Sequence, residues 1–391
     1  MSSSPLLHPT PRLLLGPGPS DAHPRVLAAM TTPLLGHLDP QYLQIMDEVQ
    51  ALLRNAYGTQ NRLTFAVPAT GMAGMETCLV NLLEPGDKVV ACNKGFFGGR
   101  IAEIAQRTGA DVTILNGEWG DVFDLNRIRE TLQTVRPKLL GIVQAETSTG
   151  AWQPLEELGK LCHEFDTLLM VDAVTSLGCI PLKVDEWEID AIYSCSQKGL
   201  NCPPGLSPVS FSARAEERMS QRKVPAQSWY FDLSILQKYW GEQRYYHHTA
   251  PISMTYALRE GLKIIQEEGL EARWQRHQKN HQALKAGLLA LGLNYVAREG
   301  HQLPQLNAVH VPSGIEDAVI RKQLLNEFNI EIGGGLGDFK GKAWRIGLMG
   351  HNSRPNVVLE FLGALEQCLK SKGANVELGA AVAAANAKYL S

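Results

Sequence analysis

Between about Leu53 and Phe211, seven short apolar runs alternate with helix-length amphipathic stretches. The runs are Leu63–Val67, Lys88–Cys92, Asp111–Leu115, Lys138–Val143, Thr167–Asp172, Asp190–Ser194 and Pro208–Phe211. Strand-helix alternation of this kind leaves few solutions. Parallel neighbours need crossover helices, and those helices cover both faces of the sheet. The chain is therefore expected to be α/β, with a mainly parallel seven-stranded central sheet. In such sheets ligands bind beyond the carboxyl ends of the strands. The residues just after each run are the ones to inspect.

Two of those ends carry chemistry. Leu168-Leu169-Met170-Val171 runs into Asp172. Asp190 to Ser194 leads into Cys195-Ser196-Gln197-Lys198-Gly199. A carboxylate and a lysine thus reach the same rim. Pyridoxal 5'-phosphate (PLP) requires this pair: the amine condenses with the aldehyde, and the acid keeps the pyridinium nitrogen protonated. Each residue alone has a blander reading. A lysine in a small polar turn is commonly solvated, and an Asp ending a strand often caps a helix.

Other rim segments extend the pattern. Thr70-Gly71-Met72-Ala73-Gly74 follows the first run and opens a helix. Free amides and the dipole at such a start bind phosphate, unless Thr70 only caps the helix. Phe97, in Gly95-Phe96-Phe97-Gly98, is placed to stack on a ring or to fill core. Glu146-Thr147-Ser148-Thr149-Gly150 offers hydroxyls to a cofactor ring oxygen, or is a polar turn. Arg345, in Trp344-Arg345-Ile346-Gly347, stands in an apolar strand pattern. It needs an anion, which is either a substrate carboxylate or a structural partner. Tyr246 and Thr249 offer hydroxyls to a phosphate. The adjacent His247 and His248 lack the i,i+4 spacing of a helical metal pair, so no metal is expected. Gly333-Gly334-Gly335-Leu336-Gly337 lacks P-loop spacing and reads as a flexible turn near Arg345.

Composition narrows the class. The chain has 391 residues, 44% hydrophobic, with a formal net charge of −3. That supports a sizeable core and gives no basic field for nucleic acid. No apolar stretch approaches the ~18 residues of a membrane span. Met1 to Arg12 lacks the apolar region of a secretory signal. Seven scattered cysteines without a Cys-x-x-Cys pair suit a reduced, cytoplasmic protein. The expected organisation is an N-terminal arm (1–20), a large cofactor domain (21–265), a smaller α+β domain (266–372) and a low-complexity tail (373–391). Pro251 to Leu293 reads as helical. The small domain holds strands Gln305–Val311 and Lys342–Gly347 and helices Asp317–Phe328 and Pro355–Leu369.

Together, Leu15-Gly16-Pro17-Gly18-Pro19-Ser20, Glu146 to Gly150, Val171 to Gly178, Ser196-Gln197-Lys198 and Trp344 to Gly347 resemble the alanine–glyoxylate (serine–pyruvate) aminotransferases. These are class V, fold-type I PLP enzymes. The resemblance runs from about Leu13 to Leu369. It implies Lys198 as the Schiff-base lysine and Asp172 as the pyridinium partner. It implies Phe97 as the ring-stacking aromatic, where many relatives carry Trp, and Thr147 among the groups around the ring. Thr70, Gly71 and Met72 form the phosphate cup, Met72 replacing a His of some relatives, and Gln197 adds a phosphate ligand. Tyr246 and Thr249 are donated across a homodimer interface. Arg345 holds the substrate carboxylate, and Pro17 and Gly18 form pocket wall. The expected reaction is amino transfer from alanine or serine to glyoxylate. A cysteine desulfurase-like lyase fits less well, because Gln197 stands where those enzymes carry His and no Cys lies between Cys202 and Cys368. A non-catalytic PLP-binding protein is disfavoured by the retention of both Lys198 and Arg345.

Overall fold

The computed structural model describes residues 9–391; the first eight residues of the expected arm lie outside them. All seven expected strands form. They are β1 (Leu63–Pro68), β2 (Lys88–Asn93), β3 (Asp111–Asn116), β4 (Leu139–Val143), β5 (Leu168–Asp172), β6 (Ala191–Tyr193) and β7 (Leu206–Phe211). Across the sheet the order is β1-β7-β6-β5-β4-β2-β3. β7 runs antiparallel to both neighbours, and the remaining pairs are parallel.

Every residue of β4 and β5 is buried. Their unbroken apolar runs follow from helices on both faces. The two-residue period then sorts side chains between layers. Leu140, Ile142, Leu169 and Val171 join one core. Leu139, Leu168 and Met170 join the other. Helix α1 (Pro40–Tyr57) adds Val49 and Leu53 to the first core; α2 (Gly71–Leu82) and α3 (Phe96–Arg107) add Met75, Leu79 and Ile101 to the second.

The segment expected to be helical from Pro251 to Leu293 is two helices, α4 (Ile252–Glu268) and α5 (Leu270–Ala290). Gly269 separates them with φ 83°, a conformation glycine adopts without steric cost. Leu258 and Leu262 of α4 pack under the main sheet. Leu284 and Leu288 of α5 enter a separate C-terminal core. That core lies against an antiparallel sheet of β8 (Leu306–His310), β10 (Ala343–Gly347) and β9 (Gly333–Gly334), in that order. Helices α6 (Asp317–Phe328) and α7 (Pro355–Ser371) complete it. β9 lay hidden in the glycine run, which carries no side-chain period.

The alanine-rich segment 373–391, read from sequence as a low-complexity tail, contains helix α8 (Ala380–Leu390). Ala381 and Ala385 are buried, and the Tyr389 hydroxyl donates to Asn280 of α5 at 2.7 Å. Glu366 of α7 accepts the backbone N–H groups of Gly379 and Ala381 at 2.8 and 2.5 Å. Methyl side chains give little periodic contrast in sequence, yet they permit the close helix approach seen here.

An N-terminal segment links the two cores. Leu13–Leu14 pairs in parallel with Ile330–Glu331, and Gly347 N donates to Leu15 O at 2.8 Å. Further on, Ser20 N donates to Gln197 O at 2.9 Å. Pro17 and Gly18 are thereby strung across the rim. Among the described residues no helix is long and apolar enough to cross a membrane.

Glu366 is buried and serves the start of α8. Glu366→Ala leaves two backbone donors without their acceptor. The expected loss is about 1–3 kcal/mol in the unfolding free energy, read by urea denaturation. An unchanged midpoint would show that the two bonds from Glu366 add nothing to stability.

Candidate active site

The parallel register of β5 and β6 sets Asp172 opposite Tyr193. The Tyr193 hydroxyl donates to Asp172 Oδ2 at 2.7 Å, and Val174 N donates to Oδ1 at 2.8 Å. Asp172 is buried and, among the described residues, has no ion pair. Burial pushes its carboxyl up to about 7, against the opposing pull of those two hydrogen bonds. The turn after β6 then brings Lys198 into the same cavity wall as Asp172. The Lys198 amine is pushed below its ordinary range, chiefly by burial and also by the charge of Arg345. Nζ donates to the Pro17 carbonyl, and Ser20 Oγ donates to the Lys198 carbonyl at 2.8 Å. Gly18 has φ 112°, and a Cβ there would stand 2.3 Å from Lys198 Nζ. The arm therefore closes against the amine only through glycine.

Asp172 and Lys198 line a cavity of about 160 Å³. Thr70, Gly71, Met72, Phe97, Thr147 and Gln197 line it too. Thr70 sits at the cap position of α2, yet its hydroxyl makes no cap hydrogen bond. The hydroxyl and the first amides of α2 remain available to an anion. A Cβ on Gly71 would meet Val174 Cγ2 at 2.9 Å, which explains the glycine in this close approach. The Gln197 Oε1 atom is buried without a hydrogen-bond partner. An amide turned to present its nitrogen would serve a phosphate there. Val143, Ala145, Val174 and Thr175 complete the lining; nothing in the sequence distinguished them from ordinary core.

Glu146 is the residue that sequence reasoning undervalued. It is fully buried and accepts the amides of Phe97 and Gly98 at 3.2 and 3.3 Å. It also accepts Ser148 N and Oγ at 3.1 and 2.6 Å. A carboxylate thus seats the start of α3 and fixes the backbone that carries Phe97. Burial raises its pKa despite these bonds. The turn read for its hydroxyls owes its buried position to this carboxylate. Tyr193 was equally silent, since a tyrosine in an apolar strand reads as core.

Arg345, on β10, is 7% exposed. Its Nε donates to Gly334 O at 2.7 Å and its Nη1 to Thr147 O at 3.5 Å. It makes no ion pair among the described residues, so the structural salt bridge weighed from sequence has no partner. Burial pushes the guanidinium down to about 10. The expected Tyr246 and Thr249 are elsewhere. Tyr246 is 61% exposed beside the His37 ring. Thr249 lines a separate depression with Leu34 and His37. Neither lines the Lys198 cavity of its own chain.

Comparison with known proteins places the chain. Residues 14–342 match the family model for aminotransferase class-V, and the chain belongs to that family. It is 40% identical to the (S)-ureidoglycine–glyoxylate transaminase of Bacillus subtilis, over 96% of this chain and 94% of that protein. It is 42% identical to the alanine–glyoxylate aminotransferase of Mus musculus, over 94% and 90% respectively. Among solved structures, alanine–glyoxylate aminotransferase from Nostoc sp. superposes with a TM-score of 0.92 at 52% identity, covering 94% of this chain and 98% of that one. Ureidoglycine–glyoxylate aminotransferase from Bacillus subtilis gives 0.97 at 41%, covering 99% and 100%. The protein is a transaminase of the PLP-dependent class V family with the fold-type I architecture.

The cavity suits that cofactor. Asp172 is a buried carboxyl lacking a cation, Gln197 has an unpartnered polar atom, and the start of α2 is uncapped by any side chain. The state of Asp172 is testable without ligand. With a pKa near 7 in the fold and about 4 in the unfolded chain, the unfolded state gives up its proton first. Stability is then full below about pH 4 and falls as pH rises toward 7. In PLP-free protein, Asp172→Asn should lack this fall. The variant should gain on the order of 1–4 kcal/mol relative to wild type between pH 4 and 7. Parallel stability curves would contradict the burial of an unpaired carboxyl.

Proposed function

We propose that this protein transfers an amino group from alanine or serine to glyoxylate, giving pyruvate or hydroxypyruvate and glycine. One observation carries the choice of small monocarboxylic substrates. Arg345 is a buried guanidinium without a carboxylate partner, and its charge acts on Lys198. A planar guanidinium binds one carboxylate through two bonds. A second carboxylate on the substrate would find no such partner in this lining and would be costly to bury. The Pro17-Gly18 wall against Lys198 favours a methyl or hydroxymethyl side chain.

Roles follow from chemistry. PLP supplies, when bound, the electron sink that makes the substrate Cα proton removable. Lys198 takes that proton and returns it; burial and the charge of Arg345 favour the neutral amine that this needs. Asp172 holds a proton on the ring nitrogen, and Tyr193 orients the carboxyl. Phe97 covers a ring face, and Thr147 serves the ring oxygen. Thr70, Gly71, Met72 and Gln197 hold the phosphate. Tyr246 and Thr249 reach the phosphate of a second copy, so the working unit is a homodimer. In this reading residues 21–265 form the cofactor domain and 266–372 the domain that presents Arg345. The seven cysteines are buried and free, which supports a cytoplasmic setting.

A second donor is (S)-ureidoglycine, favoured by the full-length likeness to the Bacillus subtilis enzyme that bears that name. Glyoxylate is the acceptor in both cases. The test measures kcat/KM for alanine, serine, (S)-ureidoglycine, aspartate and glutamate against glyoxylate and 2-oxoglutarate. Alanine or serine with glyoxylate should lead. Arg345→Lys should lower kcat/KM by roughly tenfold or more, the loss of a two-bond clamp. A preference for glutamate or 2-oxoglutarate would overturn the small-substrate reading.

A further inference from the structure

A second cavity, about 270 Å³, opens where four segments meet, one of them the N-terminal stretch that carries His23. Leu200 and Asn201 lie two and three residues after Lys198. Glu268 ends α4, and Arg273 and Arg276 open α5. His351 and Arg354 precede α7. The cavity therefore lies on the join between the two cores, beside the Gly269 break.

Its charge is unbalanced. Three guanidiniums, Arg273, Arg276 and Arg354, face one carboxylate, Glu268. Three less one leaves two positive charges in excess. Arg273 and Arg276 both pair with Glu268, at 2.7 and 2.5 Å. Their other bonds go to the carbonyls of Gly178, Gly199, Gly350 and Ser353 and, from Arg273, to Asn201 Oδ1 at 3.1 Å. Carbonyls satisfy donors but cancel no charge. Just outside the lining Arg25 meets two carboxylates, Glu260 and Glu267, so with these included four guanidiniums face three carboxylates and the surroundings remain net positive by one. Arg354 makes no ion pair among the described residues, and its Nε is buried with no hydrogen-bond partner. A buried charged donor left unmade is costly. His23 and His351 pack edge to face at 4.7 Å, and both line the cavity. His23 Nδ1 accepts from Arg25 N at 3.1 Å, so its proton sits on Nε2. Burial and the surrounding guanidiniums lower both imidazoles, His351 to about 4. At neutral pH each ring is uncharged and still has one N–H to donate.

We propose that this cavity binds a dianionic phosphate group, either free phosphate or a small phosphate ester. The lining's positive excess suits an anion, and guanidinium and imidazole N–H groups supply donors from several directions. The volume leaves room for a few carbons beyond the phosphate. The occupant would touch the turn that follows Lys198, the α4–α5 junction and the approach to α7 at once. Asn201 already gathers these parts. It donates to Ser20 Oγ and Met349 O at 3.0 and 3.2 Å and accepts His351 N at 2.7 Å.

The experiment uses PLP-loaded protein, whose own phosphate position is filled. Inorganic phosphate or glycerol 3-phosphate is titrated at constant ionic strength set with sodium chloride. Heat of binding and thermal midpoint are recorded together with the cofactor absorbance. The expected result is saturable binding with a rise in midpoint and an unchanged cofactor spectrum. Arg354→Gln should bind about tenfold more weakly, the loss of a charge-assisted contact, while transamination without phosphate stays at the wild-type rate. Should that variant fail to fold, His351→Leu gives the same test with the same direction. Tighter binding of the ester than of free phosphate assigns the source to an ester; the reverse assigns it to free phosphate. The proposal is overturned by wild-type affinity in the variants, by an equal effect of chloride alone, by loss of cofactor absorbance during titration, or by no saturation up to ~20 mM.

Discussion

The structure depends on keeping an amine and a carboxyl dry without letting them neutralise each other. Lys198 and Asp172 share one cavity, yet no ion pair joins them. Each is held by neutral groups instead: Asp172 by Tyr193 and the Val174 amide, Lys198 by the Pro17 carbonyl. Burial then pushes the two pKa values toward neutrality from opposite sides. Both groups are thereby left for a ligand rather than for one another. The parallel register of β5 and β6 makes this possible, because it delivers both to one rim at fixed separation.

The remaining architecture encloses that rim. Glu146 anchors the start of α3 and so positions Phe97. The stretch from Leu13 to Ser20 is stitched to β10 at one end and to the Lys198 turn at the other. Gly18 lets it pass against the amine where any Cβ would collide. β10 delivers Arg345 from the C-terminal core, with Gly334 and Thr147 carbonyls holding its guanidinium between the two parts. The site is therefore assembled from both cores, and its geometry follows how they meet.

Much of this was legible in the chain. The seven strands declared themselves through apolar runs that end in polar rim residues, and Asp172 and Lys198 stood out because the first ends such a run and the second lies in the short turn after one. Thr70 to Met72 and Phe97 followed from position, Gln197 from the family resemblance, and all of them line the cavity. What sequence hid has physical reasons. Glu146 acts through backbone amides that no pattern encodes. Tyr193 has the hydropathy of core, and its hydroxyl bond depends on register across two strands. Gly269 looks like any glycine until its φ is known. α8 is built from methyl groups too uniform to show a face. Tyr246 and Thr249 lie outside the cavity of their own chain.

The central claim is that Lys198 is the residue to which PLP attaches. Borohydride treatment of the PLP-loaded protein, followed by proteolysis and mass spectrometry, tests it directly. The account predicts a single pyridoxyl-modified peptide, the one containing Lys198, and no modification in Lys198→Ala. A pyridoxyl group on the peptide of another lysine, with that of Lys198 unmodified, would contradict it.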